Sequence, residues 1–168
     1  MPIDLETLKK YADKSSIFIE TGTHTGATVK LANAAGFKRI YSIELSDKWH
    51  AHNKKQFAEC PHIKIIHGNS GAKLAELLTT INQPCVLWLD AHYSGGDTAN
   101  SLGPIYAELE AIKNHPIKNH TILIDDMRGF GQRVIDAVIA INYEYNITYE
   151  DAKRGKMFFK DDILVATI

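Results

Sequence analysis

Two groups of residues in this 168-residue chain have types and spacings that can do chemistry. The first is Glu20-Thr-Gly-Thr-His-Thr-Gly26, a polar segment with its glycines spaced Gly-x-x-x-Gly. Gly22 permits a tight turn and Gly26 permits close backbone approach to a ligand. Where such a turn opens a helix, its N–H groups face an anion. The spacing is not the Gly-x-Gly-x-x-Gly of a dinucleotide pyrophosphate site. Glu44, 22 residues beyond Gly22, is placed to accept hydrogen bonds from both hydroxyls of a ribose. In His67-Gly-Asn-Ser70, Asn69 and Ser70 are candidates to line an adenine, although Gly-Asn-Ser is also ordinary turn chemistry.

The second group is acidic: Asp90, and the pair Asp125-Asp126. If these lie at the ends of neighbouring strands, they converge to about 5 Å. Converging carboxylates repel one another unless a cation neutralises them. Oxygen-only ligands suit Mg²⁺, Ca²⁺ or Mn²⁺ rather than zinc, and Mg²⁺ keeps waters that substrate oxygens can replace. The competing reading is that Asp125 caps a helix, Asp126 is solvated and Asp90 bonds a backbone turn.

The elements that must position these groups are short apolar runs alternating with amphipathic stretches. The runs are 16–20, 39–44, 63–67, 85–90 and 121–125, each rich in β-branched and aliphatic residues, as in buried parallel strands. Helices are expected at about 25–35, 47–58, 71–82, 104–114 and 131–141, with a leading helix over 4–13. Pro104 suits a first helical turn and Gly36 a helix stop. This alternation implies right-handed crossovers and a parallel sheet covered on both faces. The tail differs: 145–150 and 163–167 read as strands with no helix between, paired around Arg154-Gly-Lys156, so one antiparallel strand should join the sheet. The five runs end in Glu20, Glu44, His67, Asp90 and Asp125. Ligands of doubly wound sheets bind outside the carboxyl ends of the strands, and a shared site explains this regularity better than five separate helix caps. Residues 1–168 read as a single domain.

Nineteen lysines and arginines against 20 acids give a formal charge of −1, which disfavours a nucleic-acid partner. Cys60 and Cys85 belong to no C-x-x-C pair, so structural zinc is not expected, and Cys85 and Trp88 read as core. The N-terminus lacks signal-peptide character, and no run approaches the roughly 18 apolar residues of a membrane span. A cytoplasmic protein without a membrane partner is expected.

Residues 17–126 resemble class I S-adenosylmethionine (SAM)-dependent methyltransferases, whose first motif is an acid-x-Gly-x-x-x-Gly and whose second strand ends in a ribose-binding acid. The resemblance implies a three-layer Rossmann-like α/β methyltransferase fold, with a mostly parallel seven-stranded sheet and one antiparallel strand near the C-terminus. It implies that the Thr23–Gly26 backbone faces the methionine part of SAM and Glu44 the ribose. The expected cofactor set is therefore Glu20, Gly22, Thr23, His24, Thr25, Gly26, Glu44, Asn69, Ser70 and Asp90.

The acids carry a narrower resemblance, to the metal-dependent catechol and macrocin-type sugar O-methyltransferases. Those families place an Asp after the fourth strand and Asp-Asp or Asp-Asn after the fifth, matching Asp90, Asp125 and Asp126. This implies Mg²⁺ or another divalent cation chelating two adjacent oxygens of a small-molecule acceptor, such as a sugar or glycoside. The macrocin-type enzymes have a general-base Asp two residues after the metal Asp; here that position is His92. His92 suits proton abstraction, with a metal ligand, a substrate-orienting group or a structural residue as alternative roles. The loop Ser94–Thr98, beside Tyr93, is glycine-rich and borders the same edge, where it has the composition of a lid; Arg128 follows the Asp125-Asp126 pair.

The expected function is SAM-dependent, metal-assisted O-methylation. With little material ahead of the first strand to cover an acceptor, two alternatives stand: a non-catalytic SAM- or nucleoside-binding module, or a subunit whose partner completes the pocket. A homo-oligomer is compatible with either. Nucleic-acid methylation is disfavoured further because Asp90-Ala-His-Tyr93 stands where an Asn/Asp-Pro-Pro-aromatic motif would be.

Overall fold

Successive residues of the central strands bury on opposite faces of one sheet. Ile17 and Ile19 pack with Leu87 and Ile122 on one side, while Phe18 packs with Val86, Trp88 and Leu123 on the other. A strand buried on both faces needs helices on both, and the chain supplies them. The computed structural model describes residues 2–90 and 104–168. Its strands are β1 (Ile17–Thr21), β2 (Arg39–Glu44), β3 (Ile63–His67), β4 (Val86–Leu89), β5 (Thr121–Ile124), β6 (Asn146–Arg154) and β7 (Met157–Thr167). Its helices are α1 (Leu5–Ala12), α2 (Ala27–Ala35), α3 (Asp47–Gln56), α4 (Ser70–Leu78), α5 (Ile105–Asn114) and α6 (Gln132–Ile139), with a 3₁₀ turn at Met127–Gly129.

The sheet order is β3-β2-β1-β4-β5-β7-β6. Strands β1 to β5 pair in parallel, and β7 runs antiparallel to both β5 and β6, so β7 alone is reversed. Leu8 of α1 and Val29 and Ala32 of α2 cover the Phe18 side; Leu74 of α4, Leu109 and Ile112 of α5 and Val134 of α6 cover the other. The strand order reverses between β1 and β4, the kind of switch point outside whose carboxyl ends doubly wound sheets bind ligands.

The first five strands fall within two residues of expectation, and the helices start within two. Gly36 ends α2 at φ 96°. Helix α4 stops at Leu78 rather than 82, where the Thr79 and Thr80 hydroxyls donate to the carbonyls of Glu76 and Leu77 and compete with the helical pattern. The tail strands are longer than expected. Pairing runs on through Ala152–Phe159, Lys153–Phe158 and Arg154–Met157 to a two-residue turn, after a register shift between Glu150 and Ala152. Residues 151–161 lack alternation because much of this hairpin is solvated, so periodicity could not reveal it.

At the amino ends of β4 and β5 a histidine pair locks the fold. The Cys85 N–H donates to His120 Nδ1 at 3.0 Å, which fixes that nitrogen as an acceptor. His120 Nε2 therefore carries the proton and donates to His115 Nδ1 (2.9 Å), and His115 Nε2 donates to the Ile81 carbonyl (3.1 Å). A second proton on His120 would point an N–H at an N–H. Burial, with the neighbouring His115, pushes the His120 pKa down to about 4. Because the folded value lies below the unfolded one, this site's stabilisation is complete above about pH 6.5 and is lost as pH falls toward 4. The loss should approach about 3 kcal/mol. His120 ring C–H resonances followed by NMR should not titrate until below pH 5; a midpoint near 6.5 in the folded protein would contradict the assignment.

Candidate functional site

The segment after β1 is held from below and from the side before any ligand is considered. Glu20 is 1% exposed, and its Oε2 accepts from the Ser42 hydroxyl at 2.6 Å; Ser42 Oγ in turn lies 2.5 Å from Thr23 Oγ1. Burial raises the Glu20 pKa to about 8, with Asp90 and Glu44 adding to the rise and Ser42 and Thr28 opposing it. From the side, Asn53 of α3 donates to the carbonyls of His24 (2.6 Å) and Trp49 (2.8 Å), and the His24 ring sits 4.5 Å from that of Trp49.

The glycines do what the turn requires. Gly22 has φ 86° and Gly26 has φ 74°, both in left-handed conformation. A Cβ at Gly26 would lie 2.2 Å from Asn53 Oδ1 and 2.9 Å from Phe57 Cε2. Close packing of α3 therefore excludes a side chain here, where the spacing had pointed to ligand approach. Three N–H groups ahead of α2 are already engaged within the protein. Gly22 donates to the Ile43 carbonyl, Gly26 to the Thr23 carbonyl and His24 to Glu44 Oε2 at 2.7 Å. Glu44 also accepts from the Ser46 N–H through Oε1 at 2.8 Å. Each Glu44 oxygen thus holds one backbone N–H and keeps a second lone pair for a hydroxyl.

Asn69 is the N-cap of α4, accepting from the Ala72 N–H at 3.3 Å, and Ser70 begins that helix. His67, the expected polar end of β3, stacks on His50 at 4.7 Å and places Nε2 3.1 Å from Asp47 Oδ1. His92, Tyr93 and the Ser94–Thr98 loop lie outside the described residues.

The acids converge as expected. Asp90 N–H reaches back to the Thr21 carbonyl, and Asp125 N–H to the Leu89 carbonyl, so strand register carries both side chains to one edge. Asp126 turns at φ 59°. Ligand oxygens from Asp90, Asp125 and Asp126 all lie within 4.8 Å of one another. Asp125 Oδ1 is buried and accepts no hydrogen bond among the described residues. An all-carboxylate set with a bare buried oxygen fits a hard divalent cation, which these three residues would hold.

Arg128 was noted from the sequence beside the acids; Arg154 and Glu108 were not foreseen there. Arg154, the last residue of β6, places Nη2 2.7 Å from Asp125 Oδ2 and also bonds Asp126 Oδ1. Arg128 pairs with Asp126 at 2.5 Å and with the buried Asp162 of β7. Burial and Asp90 still hold the Asp125 carboxyl above its ordinary range, against the opposing pull of Arg154. No local pattern marks Arg154, since it meets Asp125 only through the fold. Glu108 did leave a signal: it lies on the apolar stripe Ile105, Leu109, Ile112 of α5 and is 1% exposed. The Ser70 and Thr21 hydroxyls lie near enough to ease its burial, and its Oε1 has no partner among the described residues.

No family model matches the chain, and no curated protein matches it in sequence. Solved structures do match. The O-methyltransferase from Bacillus cereus in complex with S-adenosylhomocysteine (SAH) superposes with a TM-score of 0.70 at 16% identity, covering 98% of this chain and 80% of that one. The SAH-bound methyltransferase PaMTH1 of Podospora anserina gives 0.64 at 14% identity, covering 97% and 76%. The 23S rRNA methyltransferase ErmE gives 0.63 at 12% identity, covering 99% and 69%. The chain has the class I methyltransferase fold: six strands in one direction, a reversed strand near the C-terminus, and helices on both faces.

Burial, opposed by the Ser70 and Thr21 hydrogen bonds and reinforced by Asp90, raises the Glu108 pKa from 4.5 to about 7. Stability from its neutral form is complete below about pH 4.5 and lost as pH rises through 7. Glu108→Gln should therefore leave stability near wild type at pH 5 and raise it by about 1–3 kcal/mol at pH 8. Urea denaturation at both pH values checks this; equal destabilisation at both would contradict it.

Proposed function

We propose that this chain is a SAM-dependent O-methyltransferase that acts, with a divalent cation, on a small molecule bearing two adjacent oxygens. The observation that carries the reading is the convergence of Asp90, Asp125 and Asp126 at the carboxyl edge that also bears the Glu20–Gly26 loop and Glu44. The SAH-bound neighbours support SAM as the cofactor. The fold alone does not choose the acceptor, because ErmE shares it; the near-neutral charge of −1 favours a small molecule over a nucleic acid.

In this reading Glu44 receives the ribose hydroxyls on the lone pairs its backbone partners leave open. Asn69 and Ser70 border the base, and the Thr23–Gly26 backbone orients the methionine end. Bound SAM supplies an electrophilic methyl group. Asp90, Asp125 and Asp126 would hold the cation, which would supply Lewis acidity toward an acceptor hydroxyl. The same acids fix the position of that hydroxyl, so much of the rate comes from alignment. His92, two residues after Asp90, takes the hydroxyl proton.

Titration calorimetry with SAM and a SAH-release assay over a panel of catechols and vicinal diols, with and without Mg²⁺, test the proposal. Asp90→Ala should still bind SAM and lose metal-dependent turnover; His92→Ala should lower kcat by about 10²- to 10⁴-fold. Unchanged turnover in Asp90→Ala would overturn the metal assignment, and absence of SAM binding by the wild type would overturn the whole reading.

A further inference from the structure

The carboxylates proposed to hold a divalent cation already hold one from the protein. Arg154 Nη2 contacts Asp125 Oδ2 and Asp126 Oδ1 together, bridging the two residues much as a metal ion would. Arg128 contributes a second positive charge on the outer side of Asp126. The Arg154 side chain is only 21% exposed, and its Nε is buried without a hydrogen-bond partner among the described residues. A guanidinium that forgoes a bond at Nε is held here by the carboxylates, not by a cradle of its own.

A divalent ion needs carboxylate oxygens at about 2.0–2.1 Å for Mg²⁺, closer than any hydrogen bond. An ion seated on the bare Asp125 Oδ1 that also drew on Asp126 Oδ1, the oxygen Arg154 holds, would therefore stand close to Nη2, where two desolvated cations repel strongly. Arg154 lies next to the Gly155-Lys156 turn, at the far end of a solvated hairpin, where release moves few packed groups. Resting on the metal reading above, we propose that Arg154 is a built-in counter-ion of the Asp90–Asp125–Asp126 cluster, and that a divalent cation binds by displacing its guanidinium.

Two consequences follow: the first separates a competing cation from a group that supports a metal ligand, and the second separates displacement from mere proximity. An affinity measured against a docked competitor is weakened by the fraction of time the site is open. Removing the competitor therefore strengthens binding, whereas removing a group that supports a metal ligand weakens it. Displacement also frees the Arg154 side chain for a protease that cleaves after arginine.

Mn²⁺ binding followed by electron paramagnetic resonance, on wild type, Arg154→Gln and Arg154→Lys, reads the first. Arg154→Gln should bind Mn²⁺ about tenfold more tightly than wild type, with Arg154→Lys between them. Limited trypsin digestion of the wild type, quantified by mass spectrometry, reads the second without any mutation. Mn²⁺ should accelerate cleavage after Arg154 relative to cleavage after the exposed Lys156. Weaker or equal Mn²⁺ binding by Arg154→Gln, or an unchanged cleavage ratio at saturating Mn²⁺, overturns displacement while leaving the metal site standing. If neither wild type nor Arg154→Gln binds Mn²⁺, the metal reading falls and this proposal with it. SAM calorimetry on the same samples keeps the cofactor reading separate.

Discussion

Like charges crowded at one sheet edge are the constraint around which the rest of this molecule is arranged. Parallel register between β4 and β5 delivers Asp90 and Asp125 to the same edge, and the left-handed turn at Asp126 adds a third carboxylate. Glu20 and Glu108, both 1% exposed, lie close enough to feel Asp90. Such a group cannot be buried at no cost, and the fold spends several devices on it. Serine and threonine hydroxyls are turned toward Glu20 and Glu108, and two arginines are brought in near the C-terminal hairpin. A chain selected only for stability would place apolar residues here. Acids gathered at a switch point are what the site proposed above would need.

Much of this was legible in the residues. Runs such as Cys85–Asp90 and Thr121–Asp125 are apolar throughout and end in acid, because the strand interior is covered on both faces while its end lies at the carboxyl edge of the sheet. Gly36 and Pro104 marked helix ends for local steric reasons. What could not be read was non-local. Arg154 is one of several basic residues around a solvated turn, and only the antiparallel docking of β7 on β5 carries it to Asp125. Gly26 was legible as a glycine with a purpose, but its purpose lies in Asn53 and Phe57, some thirty residues away. Glu108 stood in plain view on an apolar stripe and went unremarked, since a lone acid on a helix is usually solvated.

The loop after β1 shows how support and function share atoms. Glu44 ties down His24 and Ser46 with the same carboxylate that is proposed to meet a ribose. The loop is thus preorganised by the group that would read the ligand, which lowers the ordering needed at binding. At 10–16% identity the neighbours keep the arrangement of strands while side chains drift, so the fold is recognisable where sequence comparison is silent.

The reversed strand has a consequence for how the chain comes to be folded. Strand β7 is inserted between β5 and β6, although it is made after both. Until it arrives, the edge of β5, built from Ile122, Leu123 and Ile124, is an open row of backbone donors and acceptors on an apolar strand. Any nascent or partly unfolded chain that lacks β7 exposes that template to other strands, a route to aggregation set by topology. Asp162, immediately before the apolar run Ile163–Ala166, places a charge beside the segment that must find this edge, and in the native state Arg128 satisfies it. The residue that guards the strand before docking becomes one of its fastenings afterwards.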